Sequence, residues 1–371
     1  MRSKFEIRNS KSEIHARGRL VATILAGAWR RPPFPPLNIS ENQLDEVVPL
    51  LYACASAGLG WWRIRNTPLE HGTSAEVLRQ AYELNSVSAT LHEEKIKKAF
   101  RLLREASIEP VLAKGWLAAQ LYPALPLRPY HDIDLFVRPR DYKRADAILK
   151  SPAGSDCWVD LHAEFSELRG RSIDELFARS RLIALGNEQI RVLSSEDNLA
   201  LLAIHLLKHG VWRAVWLCDI GAAIESLPPE FDWKICLGPN RTRANWIVSA
   251  IMLSNHLLGA KIEGLPITRN AAAPPAWLVD SVLAQWSNPF SSNQAPTSHP
   301  IPFAQQLRSP GGLLAGLRNR WPNPVIATVS VNGKFNNLPR MPYQLANCVL
   351  RGLSFIFHFP FSIFHLGVRG E

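Results

Sequence analysis

The sequence contains few cysteines, and they form no recognisable metal or redox motif. Five cysteines stand in 371 residues, far apart and without a Cys-x-x-Cys pair. They are Cys54, Cys157, Cys218, Cys236 and Cys348. An odd number of scattered cysteines is typical of reduced thiols, because a disulfide framework needs paired cysteines in an oxidising compartment. The sequence therefore argues against a disulfide-stabilised secreted domain and predicts a cytoplasmic protein.

Two further features are missing: the apolar core of a signal peptide directly after a short basic start, and an uninterrupted membrane-length apolar run. The most apolar stretch, residues 349–366, is interrupted by Arg351, His358, Pro360 and His365. A spanning helix needs about 20 predominantly apolar residues. We therefore expect a docked or interfacial helix here, and membrane contact only through residues 349–366.

A net positive charge is absent from the middle of the chain, although the formal net charge of the whole is +10. Residues 1–31 hold eight Lys/Arg and two Glu, and residues 301–371 hold seven Lys/Arg and one Glu. The excess charge therefore lies in the two ends. Binding to a nucleic-acid backbone needs clustered positive charge, so the sequence disfavours nucleic acid as a partner of the central region.

Patterning divides the chain into five regions. Residues 1–19 are basic and have little to bury, which predicts a disordered tail or a translated extension. Apolar residues at helical spacing then predict mostly helical structure on both sides of a strand-rich centre. The predicted regions are a tail (1–19), a helical region (20–106), a core (107–170), a helical substrate-side domain (171–290) and a loop-rich region with an apolar helix (291–371).

The centre alternates strands and helices. Short apolar or alternating runs predict strands at about residues 109–114, 131–137 and 157–165, with helices between them. About 60 residues of this pattern form an α/β unit. The predicted fold class is therefore α+β, with a small mixed core sheet embedded in mostly helical N- and C-terminal regions.

Three carboxylates stand on two neighbouring strands of this predicted sheet. Asp132 and Asp134 stand at i and i+2, which places them on one face of a strand, and Asp160 lies on the next strand. Neighbouring carboxylates repel each other, whereas Mg²⁺ prefers carboxylate oxygens and keeps water and phosphate in the rest of its shell. The pattern therefore predicts a divalent-metal site, the alternative being a surface turn that holds two acids.

The ordered set of motifs resembles the polymerase-β-like nucleotidyltransferase superfamily and, more closely, a bacterial group of uncharacterised nucleotidyltransferase-family proteins. The resemblance spans roughly residues 20–290. The matching segments are Val111–Gly115, Leu127–Pro139, Val159–His162, Ser194–Asp197, Leu201–His205, Lys208–Gly210 and Trp216–Ile220. It implies an Mg²⁺-dependent enzyme that moves a nucleoside monophosphate from an NTP, with ATP as the default, to an unidentified acceptor.

The resemblance also implies roles for the residues. Asp132 and Asp134 are expected to bridge two Mg²⁺ ions and the triphosphate, and Asp160 to bind the catalytic ion and help activate the acceptor hydroxyl. Lys114, Gly115 and Arg128 are the expected nucleotide-binding residues. Gly115 would let the backbone approach the phosphates.

The chain departs from the superfamily at its phosphate turn. The usual turn is Gly-Gly or Gly-Ser, and here it is Lys114-Gly115. Lys114 is either a phosphate contact or a strand-end lysine that reaches solvent, and Arg128 is either a partner of phosphate or carboxylate or a plain loop residue. The alternative function is therefore a catalytically weak nucleotide- or partner-binding protein on the same fold.

Three histidines are expected as support. His162 shares the face of Asp160 and is either its orienting partner or a partly exposed strand residue. His205 and His209 stand at i and i+4 on one predicted helix, where they either pack or contact substrate. The residues Trp212, Trp216 and Asp219 have a similar helical spacing, and they form either a cleft wall or ordinary core.

Overall fold

The computed structural model describes residues 11–267, 273–288 and 321–363. The helices are α1 (Lys11–Leu25), α2 (Glu41–Ala53), α3 (Ala57–Ile64), α4 (Thr73–Glu105), α5 (Gly115–Ala119), α6 (Tyr142–Lys150), α7 (Ile173–Arg179), α8 (Ser195–Lys208), α9 (Ala214–Glu225), α10 (Trp233–Leu237), α11 (Arg241–Leu258), α12 (Ala276–Trp286), α13 (Pro324–Ser330) and α14 (Met341–Ile363). The strands are β1 (Val111–Ala113), β2 (Ile133–Phe136), β3 (Val159–His162), β4 (Arg181–Leu185) and β5 (Glu188–Val192).

The N-terminal helices start where the sequence supplies caps. Ser40 accepts a hydrogen bond from the backbone of Gln43, whose side chain returns one to Ser40, and this capping box begins α2. Helix α4 buries an apolar stripe that includes Leu78, Ile96 and Phe100. The predicted disordered tail, residues 1–19, is corrected from Lys11 onwards, because α1 begins there and packs against α12.

The five strands form one mixed sheet in the order β3-β2-β1-β5-β4. Strand β1 runs antiparallel to β2 and parallel to β5, while β2 runs parallel to β3. The central strands are buried, since all four residues of β2 are buried, and a continuous hydrophobic core joins the sheet to the helices around it. The protein is therefore a mixed α+β protein, as the sequence predicts.

The hairpin of β4 and β5 lies inside the region 171–290, for which the sequence predicts a helical domain. The two strands pair antiparallel across a turn at Gly186 and Asn187, and β5 then joins β1. Gly186 adopts a φ of +62°, which glycine tolerates without the clash of a β-carbon. The core sheet therefore extends beyond the predicted boundary at residue 170.

The C-terminal region contributes two helices to the described structure. Helices α13 and α14 pack on each other, and α13 also contacts α8 and α12. Most of the predicted loop-rich stretch, 291–320, lies outside the described residues, as does the end of the apolar stretch beyond residue 363. Among the described helices, none has both the length and the apolar character that crossing a membrane requires.

Candidate active site

The register of β2 and β3 brings two carboxylates and a histidine together. Asp134 pairs with Asp160 across the parallel strands, and Phe136 pairs with His162. His162 Nε2 lies 3.2 Å from Asp134 Oδ1 and 3.2 Å from Asp160 Oδ2. The histidine thus bridges the two acids, and its role in orienting Asp160 stays a prediction.

Lys114 closes the site from the end of β1. Its Nζ lies 2.7 Å from Asp134 Oδ1, and its side chain is 15% exposed. The backbone of Lys114 has φ +50° and ψ −123°, a conformation that glycine adopts far more readily than an L-residue with a side chain. The position that is usually glycine in the superfamily therefore keeps a glycine-like backbone here, although it carries a lysine.

The surroundings of Asp134 favour its ionised form. Asp134 is only 4% exposed. Burial raises the pKa of its carboxyl, but the hydrogen bond from His162 and the charge of the Lys114 ammonium outweigh burial and bring the pKa below its usual value. Asp134 is therefore a buried carboxylate with negative charge at neutral pH.

Asp132 lies apart from this pair. Strand β2 begins at Ile133, so that Asp132 precedes the strand and is exposed, in contrast to the expectation that both acids project from one strand face. It lines the same cavity as Asp134 and Asp160. The predicted metal set of Asp132, Asp134 and Asp160 thus differs by one member from the set that the structure brings together.

The residues present fit a divalent cation. Asp134, Asp160 and His162 each offer one ligand atom, and these three atoms lie within 4.8 Å of one another. Carboxylate oxygens suit Mg²⁺, and an imidazole nitrogen added to them suits Mn²⁺ and other transition metals as well. The Asp160 side chain is 56% exposed, which leaves the group reachable from the cavity.

The carboxylates face a cavity of about 800 Å³. This volume lies within the range of about 300–1,000 Å³ that is usual for small-molecule sites. All nine residues predicted for the site line it: Lys114, Gly115, Arg128, Asp132, Asp134, Asp160, His162, His205 and His209. The cavity therefore gathers residues from β2, β3, α5, α8 and the segments beside them around one open space.

Arg128 is engaged within the protein. Its Nη2 donates a hydrogen bond to Asp219 Oδ2 at 2.8 Å, its Nη1 donates to the carbonyl of Pro129, and Tyr122 Oη donates to Asp219 Oδ1 at 2.7 Å. Arg128 and Asp219 are 6% and 0% exposed. These contacts favour a structural role for Arg128, which ties the loop before β2 to α9, over the predicted role in nucleotide binding.

An aromatic ring packs closely against Gly115 and leaves little room for a side chain there. A β-carbon at this position would lie 3.1 Å from Tyr130 Cβ and 3.2 Å from Tyr130 Cγ. That contact is tighter than ordinary packing, so the missing side chain lets α5 approach the segment before β2. Gly115 still lines the cavity, but its nearest neighbour is protein.

The two helix histidines form an aromatic group with Trp216. The rings of His205 and His209 lie 4.4 Å apart, and Trp216 lies 4.8 Å and 5.4 Å from them. More than a third of His209 is reached by solvent, yet the partial burial of its ring, followed by the nearby His205, lowers its pKa to about 4. His209 is therefore neutral at pH 7 and suited to packing or to hydrogen bonding with substrate.

The cavity also holds charged residues to which the sequence assigned no role, among them Glu167, Lys208 and Arg213. Glu167 Oε1 lies 3.1 Å from Lys208 Nζ and 3.7 Å from His205 Nδ1. Burial opposes the ionisation of Glu167, but the nearby His205 and the charge of Lys208 outweigh it and depress the pKa of Glu167 strongly. Glu167 stands outside every strand, in a turn whose position depends on α8, so no local pattern indicates it.

Arg213 is the third residue. Its guanidinium lies 4.6 Å from the ring centroid of Trp212 and 5.1 Å from that of Trp216, and it lines the cavity. Within the described part of the chain no carboxylate lies within ion-pair distance of Arg213, and its buried Nε has no hydrogen-bond partner there. Burial and the neighbouring Arg128 both lower its pKa. In the sequence, only the nearby Trp212 and Trp216 indicate that Arg213 lies against aromatic rings.

The chain was compared with protein families, curated proteins and solved structures. The model of a family described as uncharacterised nucleotidyltransferases matches residues 41–154 and 152–253, more than half of the chain. The match covers α2 to α6, the whole sheet, α8 and α9. Neither a curated protein nor a solved structure matches the chain.

Proposed function

Because the chain belongs to a family of uncharacterised nucleotidyltransferases, we propose that it moves a nucleoside monophosphate from an NTP to an acceptor at the Asp134 site. The observation that carries the proposal is the group of Asp134, Asp160 and His162, whose ligand atoms converge at the wall of a nucleotide-sized cavity. The reaction breaks the bond between the α-phosphorus and the leaving pyrophosphate, and forms one from the α-phosphorus to an acceptor oxygen.

The proposed metal ligands are Asp134 and Asp160, with His162 beside them and Asp132 at the solvent side of the same cavity. Two Mg²⁺ ions bound there would neutralise the charge on the attacking and leaving oxygens. Asp134 is suited to this role because it is buried and its pKa is depressed, so it is ionised before any cation arrives. Asp132 remains a proposed ligand because it is exposed on the same wall and has no ion pair within the described residues.

Asp160 is the proposed acceptor of the proton. Its side chain is more than half exposed, so an acceptor hydroxyl can approach it, while His162 holds its Oδ2 at 3.2 Å. A carboxylate within hydrogen-bond reach can take the proton as the new P–O bond forms. Asp134, at 5% exposure of its side chain, is less accessible for this step.

Two cations are proposed to bind the triphosphate. Lys114 already holds its ammonium at the carboxylate of Asp134, and its charge is positioned for phosphate oxygens that reach the same point. Arg213 supplies a planar guanidinium that is stacked on tryptophans and has no carboxylate partner among the described residues. A guanidinium offers two parallel N–H donors that match a phosphate. We take ATP as the first nucleotide to test.

The alternative is a protein of the same fold that binds nucleotide without turnover. The specific observation behind it is Lys114, which already neutralises Asp134 and stands where the superfamily has a small residue. A lysine that stays on Asp134 competes with a cation for the same oxygen, which would weaken catalysis and leave nucleotide binding to Arg213.

Titration calorimetry combined with product detection separates the two functions. ATP with Mg²⁺ is titrated into the wild type and into Asp132→Ala/Asp134→Ala, and pyrophosphate is measured with a small-metabolite extract as the source of acceptor. The enzyme reading expects metal-dependent binding and pyrophosphate in the wild type, with both reduced in the variant. Saturable binding of ATP without any pyrophosphate across the acceptor screen would favour the binding protein, and equal turnover in both proteins would remove the carboxylate assignment.

A further inference from the structure

A second cavity, of about 720 Å³, adjoins the first one. It lies between the turn Ser166–Leu168, the start of α11 and the end of α13. Ser166, Glu167 and Lys208 line both cavities, so the two share one wall. A molecule in the second cavity therefore borders directly on the space in front of the carboxylates.

The charged lining of the second cavity is mostly positive. Its charged residues are Arg169, Arg171, Lys208, Arg243 and Glu167. The one acid among them is already paired, since Glu167 Oε1 lies 3.1 Å from Lys208 Nζ. Three guanidinium groups therefore remain in this wall without a carboxylate of the same cavity.

The partners of Arg171 leave positive charge in excess. Arg171 bonds to Asp197, but Asp197 is fully buried and is shared with Arg179, whose Nε lies 3.1 Å from its Oδ2. One carboxylate thus serves two guanidinium groups. The second hydrogen bond of Arg171 goes to the carbonyl of Cys236, which carries no net charge.

The charges of Arg243 and Arg169 are neutralised by nearby carboxylates even less than that of Arg171. Arg243 donates from Nη2 to the carbonyls of Glu167 and Ser166, which leaves Nε and Nη1 outside these bonds. Burial lowers the pKa of Arg243, the nearby Arg171 lowers it further, and the charge of Glu167 opposes these effects only in part. Arg169 is exposed and forms no ion pair within the described ranges.

We propose that the second cavity binds the acceptor, a small molecule that carries a phosphate or a carboxylate group, through Arg169, Arg171 and Arg243. The proposal rests on the proposed nucleotidyl transfer for the role of the ligand, but not for its binding. An oxyanion satisfies the guanidinium donors, because forked N–H groups match phosphate and carboxylate oxygens. The volume suits a small metabolite. The shared wall places the rest of that metabolite towards Asp160, where its hydroxyl would react.

The charges that line the two cavities support nucleotide binding in the first and acceptor binding in the second. The first cavity is lined by Asp132, Asp134 and Asp160, which favours cations and metal-bound phosphates. The second cavity offers guanidinium groups and no free carboxylate in its lining. An anionic acceptor is therefore drawn to the second cavity, and a metal-bound nucleotide to the first.

The test measures anion binding directly on the full chain. The protein is freed of divalent cations on a chelating resin, because EDTA is itself a polycarboxylate, and is titrated calorimetrically with inorganic phosphate and, separately, with malonate. We expect saturable binding of at least one, and the stronger of the two identifies the acceptor group. Saturable binding of neither anion would overturn the proposal.

Variants locate the anion. Arg169→Gln removes an exposed guanidinium that forms no ion pair among the described residues, so the variant should fold. We expect about tenfold weaker binding, the usual effect of losing one charge-assisted hydrogen bond. Arg243→Gln should weaken binding at least as much. Arg181→Gln is the matched control, since Arg181 is exposed and lines neither cavity, and it should bind like the wild type. If Arg213→Gln loses anion binding while Arg169→Gln binds the anion normally, the anion lies in the first cavity and the proposal is overturned.

A second titration, with Mg²⁺ and a non-hydrolysable ATP analogue, separates this proposal from the function on which it rests. Arg169→Gln should bind the analogue like the wild type, because Arg169 does not line the first cavity. Anion binding without any nucleotide binding would remove the proposed function and leave an anion site. Nucleotide binding without anion binding would remove the acceptor site and leave the function.

Discussion

Replacing Lys114 by glycine and by alanine tests whether the turn after β1 stores strain beside the carboxylates. Lys114 has φ +50° and ψ −123°, where a β-carbon clashes with the backbone and glycine does not. Both variants lose the ammonium that contacts Asp134 Oδ1 at 2.7 Å. The two variants differ only in the β-carbon, so the difference between their free energies of unfolding reports the conformational cost of the backbone alone.

The magnitudes follow from these contacts. A non-glycine residue in such a region costs about 1–3 kcal/mol, whereas glycine costs about 0.5–1 kcal/mol more than alanine at an ordinary position. We therefore expect Lys114→Gly to be about 1 kcal/mol more stable than Lys114→Ala, which reverses the usual order. Loss of the ammonium should cost both variants about 1–3 kcal/mol. The larger penalty of an unpaired buried charge is avoided because His162 still bonds Asp134.

Urea denaturation of the three proteins gives these free energies of unfolding. The pKa of Asp134 should also rise in both variants, because the Lys114 ammonium helps to hold it down. The backbone reasoning would be refuted by a Lys114→Gly protein that is equally or less stable than Lys114→Ala. An unchanged pKa of Asp134, followed by the carboxyl resonance in NMR, would refute the electrostatic part.

Three further predictions follow from the described contacts. Arg128→Met should lower the free energy of unfolding by about 3–5 kcal/mol, because it leaves the fully buried Asp219 without its cation, and the added substitution Asp219→Asn should recover part of that loss in a double-mutant cycle. Gly115→Ala should cost about 1–3 kcal/mol in the same assay, because its β-carbon would lie 3.1 Å from Tyr130 Cβ, and a stability equal to the wild type would show that the ring yields freely. The folded-state pKa of Glu167 is depressed because its hydrogen bonds and neighbouring cations outweigh burial. Its contribution to the free energy of unfolding is therefore present above the usual carboxyl pKa and is lost as the pH falls towards the folded value. Glu167→Gln should flatten the acid limb of the stability–pH curve, and an unchanged limb would contradict this.

The sequence predicted the elements that local patterns define. The capped helix after Ser40, the long helix α4, and the strands β1, β2 and β3 all occur within a few residues of their expected positions. The Lys114 turn and the Asp134–Asp160 pairing also follow from short-range patterns, since one depends on a strand end and the other on alternation along neighbouring strands.

The hairpin of β4 and β5 was missed although its turn carries a local indication. Gly186-Asn187 is a two-residue turn of the kind that joins antiparallel strands. Its strands are short, and β4 is largely exposed, so alternation between a buried and an open face is weak. What decides its structure is pairing with β1, a contact between distant parts of the chain.

The chemistry of the cavity wall was least accessible to sequence. Arg128 is tied to Asp219 across 91 positions, and Glu167 meets Lys208 across 41. Such pairings depend on how α8 and α9 pack on the sheet, which no local spacing encodes. Asp132 shows the same limit on a smaller scale, because the strand begins two residues later than expected and leaves Asp132 before it, exposed to solvent.

The most direct test of nucleotidyl transfer at this site is the rate of pyrophosphate release from ATP with Mg²⁺ and a metabolite extract, measured for Asp134→Asn and for a surface control. Asp174→Asn is that control, because the Asp174 side chain is 86% exposed and lines neither cavity. Asp134→Asn should lose at least about 100-fold in rate, as expected when a charge-stabilising group is removed, while the control keeps the wild-type rate. Equal rates in Asp134→Asn and the wild type would contradict the account.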